Sequence, residues 1–524
     1  MMTQTADTLF SEIESLRSMY EGLLAKSAVD QEMIARYKDE VDHLNEMLLD
    51  FKRHRFGTKS ERWVSSEQLL FNEAEMLAQN PRTPEDEESE VNDQTVKVEA
   101  HTKRRGKRKP LPEDLEREIV TIELPESERI GDDGRVLKPI GKEISEKLFF
   151  EPAQLKVVEY HRIRYGADSG DKGVIAPPVP SIIPKGIPEA NLLAHVVMQK
   201  YGYGLPFYRM EDMFKRMGAE IPRCTLARWI IQCYEACLAI KNVLNDRLMA
   251  SPYVRCDETW TQVLKEKGRT AQSTSWMWVR ATPSDLKKIV LFDYDPHRSA
   301  DVARRLFEDY KGTFQADGFA SYNDLEKQKD IERRLGCNMH GRRKFESAFK
   351  VGAKNGKGLG EVALGYYKRL YKIEEDLRGL PWDERKRVRD EKSKPIWDEF
   401  KTWAIANEKK VPPKSKIGQA FHYFFGEYDH LIGYLENGMF EMDNGFAERA
   451  IKNFAIGRKN WMFSDTEAGA EASSFFYSIV VTAKLNGNDP YKILKTIFEK
   501  IPLAKSESDI DSLVDLILTR PTAA

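Results

Sequence analysis

Long apolar runs are missing from this chain. No 18 consecutive apolar residues occur in its 524 positions, so a membrane-spanning helix is not expected. The first residues are polar and do not form a charged leader followed by an apolar segment, which argues against export and for a cytoplasmic protein. Cysteine is scarce: Cys224, Cys233, Cys237, Cys256 and Cys337 are the full set, and their spacing is not that of a disulfide framework. Cys233 and Cys237 lie one helical turn apart, which suits a buried helix face better than a metal site. An excess of either charge is also missing. The formal net charge of -2 conceals segregation, because basic clusters at 52–62 and 103–109 are offset by acids from Glu85 to Asp93. Whole-chain charge is therefore a poor guide to partners, and the length points to three or four domains.

Heptads are present instead. Ile13, Tyr20, Ile34, Val41 and Leu48 fall on one seven-residue register, and Leu9, Leu16, Leu23, Tyr37, Leu44 and Phe51 fill the complementary positions. Ser27 and Asp30 interrupt the seam. The pattern predicts a coiled coil over 1–62 and a homodimer or higher oligomer, with a single amphipathic helix as the alternative. Its end carries Lys52, Arg53 and Arg55 among aromatics, a composition suited to phosphate contact or to a solvated helix end. Residues 63–110 read as a linker, acidic and then basic. In it Lys103, Arg104, Arg105, Lys107, Arg108 and Lys109 form the densest positive run, suited to phosphates or a narrow minor groove.

Residues 111–186 read as a small β-rich module without any cysteine. From 187 to 250 the periodicity becomes helical, with helices expected at Ala190–Lys200, Pro206–Met217 and Thr225–Leu244. The Gly218 turn before Arg223, Thr225 and Arg228 has helix-turn-helix spacing, which ordinary helical hairpins share.

The stretch from Tyr253 to Asn323 organises the rest. Its first strand-like run, Tyr253 to Trp260, loses apolar character at Asp257. Runs at Ser275–Ala281 and Lys288–Tyr294 follow, then a helix over Ala300–Tyr310, a strand over Gly312–Ala316 ending at Asp317, and a strand over Arg334–Met339. Three antiparallel strands followed by alternating helices and strands predict a mixed sheet. Residues 350–440 read as a helical insertion with its own core, 441–470 as a helix carrying Glu448, and 471–524 as closing helices at Ser473–Leu485 and Asp489–Ile501. The fold class is multidomain α+β. Lone carboxylates are usually surface residues or caps, but two strand acids and one helix acid can together hold a pair of divalent ions.

Four ordered motifs carry a resemblance: Asp257-Glu258-Thr259; Gln315 to Tyr322; Cys337-Asn338-Met339-His340-Gly341-Arg342-Arg343-Lys344-Phe345; and Asp443 to Lys452. With Gly457 to Trp461 and Ala483 to Gly487, they resemble the IS66-family transposases over nearly the whole chain. The resemblance implies an RNase H-like core over 251–349 and 441–470 with a DDE triad of Asp257, Asp317 and Glu448. It also implies two Mg²⁺ ions, with Mn²⁺ as a substitute, and element-end and target DNA as partners in the nucleoid. Small accessory proteins of the element are implied as well. His340, Arg342, Arg343, Lys344, Arg449, Lys452, Arg458, Lys459 and Trp461 are then candidates for holding DNA, although Glu448 and Lys452 also suit an ion pair and Trp461 suits core packing. Family members often carry two cysteine pairs in the β-rich module. Here Ile130 to Gly134 and Tyr165 to Gly170 occupy those turns without a thiol, so structural zinc is not expected. Cys337 and His340 have metal-ligand spacing, but no second pair follows. Gly445 stands where the family commonly has a polar residue. The function expected is a transposase. The alternatives are a non-catalytic architectural DNA-binding protein and an RNase H-like nuclease without strand transfer.

Overall fold

The computed structural model describes residues 154–165, 174–175, 177–283, 285–327, 331–352 and 358–519, with isolated helical positions between 17 and 41. Residues 1–59 with 160–524 form one unit and 60–159 another, of which 154–159 are described and lack regular structure. Tyr20, Ile34, Tyr37 and Val41 are helical and exposed. The other heptad positions, the acidic linker and the basic runs with Lys52, Arg53, Arg55, Lys103, Arg104, Arg105, Lys107, Arg108 and Lys109 lie outside the described residues. Of the β-rich module, an antiparallel pair is described, β1 (Arg164–Tyr165) with β2 (Val174–Ile175).

The helical region follows the expected order. α1 (Ala190–Val197) continues into a π turn over Met198–Gly202. α2 (Phe207–Arg216) enters from Pro206, and Gly218 turns the chain at φ 91°, a value open to glycine without strain. The expected single helix over Thr225–Leu244 is two. α3 (Arg223–Ala236) ends at Cys237, whose N–H donates to both Cys233 and Tyr234 carbonyls, and α4 (Leu238–Met249) resumes after that tightened turn. Cys233 and Cys237 are fully buried, as their spacing suggested.

The sheet is mixed. β3 (Tyr253–Lys265), β4 (Thr274–Ala281) and β5 (Val290–Asp295) are antiparallel neighbours; after α5 (Ala300–Leu306), β6 (Thr313–Gln315) joins the other side of β3 in parallel. α6 (Ala320–Glu326) then crosses to β7 (Arg333–Leu335), parallel to β6, giving the order β5-β4-β3-β6-β7. Two boundaries differ from expectation. Asp257 is not at a strand end: it pairs with Val279, and β3 continues because the hairpin with β4 runs on to Gln262 and Thr274. The strand expected over Arg334–Met339 stops at Leu335, and α7 (Asn338–Gly352) begins three residues on. Asn338 fixes that switch, since its buried amide donates to the Leu431 and Met442 carbonyls at 2.8 and 3.0 Å.

The insertion comprises α8 (Leu359–Asp376), α9 (Trp382–Val388), a π turn over Arg389–Ser393, α10 (Lys394–Glu408) and α11 (Lys416–Ile432). Its rings interlock, with Phe400 and Phe424 centroids 4.5 Å apart. That cluster is distinct from the main core around the sheet, as expected of an insertion with its own core, and it reaches the sheet through Tyr253 and Leu335. Trp397 is buried in it, whereas Trp382 is exposed.

α12 (Gly445–Trp461) returns to the sheet, β8 (Ser464–Thr466) pairs with the far end of β3, and α13 (Glu467–Leu485) lies along β5. α13 is nearly all buried yet carries hydroxyls one turn apart. Ser478 Oγ accepts from the Phe292 N–H at 2.8 Å, and Thr482 Oγ1 accepts from Val290 N–H at 3.0 Å and donates to its carbonyl at 3.1 Å. Those hydroxyls satisfy the open edge of β5 that would otherwise invite another strand. α14 (Pro490–Lys500) follows, and a third closing helix, α15 (Glu507–Leu518), was not anticipated. Its start is a Ser506/Asp509 capping box.

Candidate functional site

Asp257 projects from the middle of β3, Asp317 sits two residues past β6, and Glu448 lies in the first turn of α12. Strands β3 and β6 are hydrogen-bonded neighbours, which brings the first two acids together. Glu448 is brought back across the insertion by a set of amides. Gln315 Nε2 donates to the Glu441 carbonyl at 2.9 Å, Asn338 N–H to the Met442 carbonyl at 3.3 Å, and Asn444 Nδ2 to the Cys256 carbonyl at 2.7 Å. The segment 441–444 is thereby tied to β6, to the start of α7 and to β3, the strand that carries Asp257. Arg255, fully buried one pleat from Asp257, adds an ion pair to Glu441 at 2.6 Å. Gly445 is buried in this turn and its N–H donates to Asp443 Oδ1 at 2.8 Å; a Cβ there would stand 2.7 Å from the same oxygen.

The Asp257 carboxyl is held well above its ordinary range, first by burial and then by the charges of Glu258, Glu448 and Asp317. Glu258 is the carboxylate that sequence reasoning passed over. Burial and Asp317 push it up as well, while Arg298 opposes. Arg298 Nε donates to Glu258 Oε1 at 2.6 Å, one of its Nη atoms lies 3.9 Å from Asp317 Oδ2, and its guanidinium stacks 3.7 Å above Phe319. The Tyr322 hydroxyl donates to the other Glu258 oxygen. Asp317 is held through its backbone, whose carbonyl accepts from buried Arg334 at 3.1 Å. Arg334 in turn donates to both Glu427 oxygens, at 3.0 and 2.8 Å. An isolated arginine in a sequence gives no sign of such roles.

Around Glu448 the groups separate. Arg343 donates to Oε2 at 2.8 Å, while His340 Nδ1 and Cys337 Sγ approach Oε1 at 3.6 and 3.7 Å. Burial pushes the Cys337 thiol up, reinforced by Glu448, and lowers the His340 imidazole although Glu448 opposes. Cys337 and His340, whose spacing alone offered no further ligand, thus gain one from a helix 108 positions on.

The remaining candidates divide. Arg342, Arg343 and Lys344 are exposed on α7, Arg449 is exposed and Lys452 half-buried on α12, and Arg223 and Arg228 are exposed at the start of α3 beside half-buried Thr225. Lys459 is exposed. Arg458 is not positioned as a surface contact: it is buried, its Nη1 donates to Thr259 Oγ1 at 3.1 Å and to the Trp260 carbonyl, and it stacks 3.9 Å over Trp260. Trp461 packs on the core with buried Lys200 Nζ 3.7 Å above its ring.

The chemistry of the donor set fits hard divalent ions. All four acids offer oxygen, and the repulsion that raises Asp257 is what a cation would relieve. Fold and site together define a mixed-sheet α/β protein with a desolvated carboxylate cluster. The family model for the IS66 family of transposases matches residues 185–472, more than half of the chain, and the chain belongs to that family. Further models match at 43–120, described as Transposase C of IS166 homeodomain, and at 478–514, the IS66 C-terminal element. Among curated relatives in Sinorhizobium fredii (strain NBRC 101917 / NGR234), uncharacterized protein y4qI is 28% identical over 95% of this chain and 94% of its own length. Uncharacterized protein y4jD is 29% identical over 75% and 78%. No helix among the described residues is long and apolar enough to cross a membrane.

Proposed function

We propose that this chain is a DNA transposase that binds the inverted-repeat ends of its insertion sequence and carries out metal-dependent cleavage and strand transfer through Asp257, Asp317 and Glu448. The observation that carries the reading is the convergence of these acids, in which three neighbouring carboxylates raise Asp257. The strand order β5-β4-β3-β6-β7, antiparallel then parallel, supports an RNase H-like core made of 251–349 and 441–470. Asp257, Asp317 and Glu448 would hold two Mg²⁺, or Mn²⁺ in their place. When bound, such ions activate a water or a DNA 3′-hydroxyl and stabilise the leaving oxygen of a phosphodiester. The protein's own part is orientation and charge. Arg298 keeps Glu258 and Asp317 apart from each other's full charge, Arg334 fixes the Asp317 backbone, and Arg343 holds one oxygen of Glu448.

Arg342, Arg343, Lys344, Arg449, Lys452 and Lys459 then offer positive charge to phosphates near the acids, and the 187–250 region presents Arg223 and Arg228 at the start of its third helix. The 52–62 and 103–109 basic runs extend that DNA contact, the 1–62 heptads assemble the oligomer, and element accessory proteins assist. The 350–440 helices act as an insertion into the core. Incubation of the full chain with its element ends and Mg²⁺, scoring nicked, excised and joined products separately, tests this. All three products are expected, and each is lost in Asp257→Ala, Asp317→Ala and Glu448→Ala. Full cleavage by those variants refutes the assignment.

A further inference from the structure

A soft-ligand set stands on the α7 side of the acid cluster and shares one residue with it. Cys337 immediately precedes α7, His340 lies in its first turn with its N–H on the Cys337 carbonyl at 3.1 Å, and Glu448 faces both from α12. Ligand atoms of the three all lie within 4.8 Å of one another. A tetrahedral ion with bonds of about 2.3 Å to sulfur and about 2.0 Å to nitrogen or oxygen separates S from O by about 3.5 Å and N from O by about 3.3 Å. The observed separations from Glu448 Oε1 are 3.7 Å for Cys337 Sγ and 3.6 Å for His340 Nδ1. Those two separations are within about 0.3 Å of the tetrahedral values. His340 Nδ1 is a buried nitrogen without a hydrogen-bond partner, an arrangement that costs free energy unless something else occupies it.

We infer that Cys337, His340 and Glu448 form a binding site for one borderline-soft divalent cation of the Zn²⁺ or Co²⁺ type, distinct in ligand chemistry from the all-oxygen cluster at Asp257. Second contacts are in place. The Asn444 N–H donates to Cys337 Sγ at 3.3 Å and Arg343 holds Glu448 Oε2 at 2.8 Å, orienting sulfur and carboxylate toward the gap. In the metal-free protein the thiol proton bridges Sγ to Oε1. Cation entry replaces that proton, forms the metal–sulfur bond and releases H⁺ to solvent. Three protein ligands leave the fourth tetrahedral position for water or a ligand oxygen. An ion seated here takes Oε1 of Glu448 away from Asp257, a consequence that rests on the function proposed above.

Titration of the full chain with Co²⁺ tests the site without DNA, so its outcome is separable from that of the transposition assay. The wild-type protein is expected to show a thiolate-to-cobalt charge-transfer band that saturates at one ion per chain. Cys337→Ser abolishes the band, while Cys224→Ser keeps it. His340→Ala, altering a partly exposed side chain, weakens cobalt affinity by about tenfold or more and serves if Cys337→Ser fails to fold. A wild-type protein without the band, a band of full intensity in Cys337→Ser, or unchanged affinity in His340→Ala overturns the inference.

Discussion

Asp257→Asn is expected to stabilise the metal-free protein while removing its response to Mg²⁺. Asp257 and Glu258 are both held above the ordinary carboxylate range, so the folded state binds more protons than the unfolded state as pH climbs from about 4. Stability is therefore lost with rising pH through that window. The charges do not all add. Arg298 offsets Glu258 at 2.6 Å and Arg343 offsets Glu448 at 2.8 Å, which leaves Asp317, with Arg298 only at 3.9 Å, as the weakly compensated neighbour of Asp257. At an effective dielectric near 20, two bare carboxylates repel by about 4 kcal/mol at about 4 Å and by about 2 kcal/mol at about twice that separation. Removing a repulsion of about 2–4 kcal/mol at pH 8 raises the melting temperature of a chain this long by about 2–4 °C. Thermal melts at pH 5 and pH 8, with and without Mg²⁺, provide the assay. The gain should be larger at pH 8, and Mg²⁺ should raise the wild-type melting temperature while leaving Asp257→Asn nearly unmoved. An Asp257→Asn protein that melts lower than wild type at pH 8 without metal, or an equal Mg²⁺ shift in both proteins, refutes the reasoning.

Arg334→Met takes from buried Glu427 the Nη2 group that bonds both of its oxygens, so a loss of about 3–5 kcal/mol is expected in urea denaturation, much of it regained in Arg334→Met/Glu427→Met. Burial lowers Lys200 to about 7, while the rings of Trp461 and Phe207, at 3.7 and 4.2 Å, favour its charged form. Lys200→Met should therefore gain about 1–3 kcal/mol at pH 6, where both states of the wild type are protonated. That gain shrinks as pH rises from about 7 toward 10.5, because only the unfolded wild type then keeps its proton, and a gain that grows with pH would contradict this sign. Arg223→Ala and Arg228→Ala should each weaken binding to end DNA and reduce the salt dependence of affinity by about one unit of slope, measured by fluorescence anisotropy. Unchanged slopes would remove α3 from the DNA interface.

The three acids of the proposed site stand in the sequence as short ordered motifs, and the mixed sheet is legible from β-branched runs separated by turn residues. Asp257 was nonetheless expected at a strand end. Apolar character breaks there because β3 is only partly buried from Asp257 to Thr259 and exposed at Trp260, while Thr261 and Val263 are buried again and backbone pairing with β4 continues for five more residues. Glu258 was passed over because strand alternation sends adjacent side chains to opposite faces. Here burial and Asp317 still act on it from the side where Arg298 and Tyr322 hold it. The Ser478 and Thr482 spacing on α13 is visible in the sequence but carries no meaning until β5 supplies an open edge. Arg298 and Arg334 left no pattern at all, since a buried guanidinium is specified by its partners in space.

Glu448 is the residue whose position most needs explaining, because 130 residues separate it from Asp317 and a helical insertion lies between. The insertion itself does not orient it. Gln315, Asn338 and Asn444 do, each spending a buried amide on a backbone carbonyl of the returning segment or of β3. Leaving such a buried group unsatisfied costs about 1–3 kcal/mol, so the segment 441–444 has one favourable docking and alternatives lose several bonds together. The rings shared by the insertion and the sheet, Tyr253 and Phe440 among them, close the same joint from its apolar side at 5.2 Å. The third acid is therefore placed by buried amides of β6, of the start of α7 and of the returning segment itself, and substitutions on the outer helices of the insertion should alter its position far less than a single Asn444→Ala.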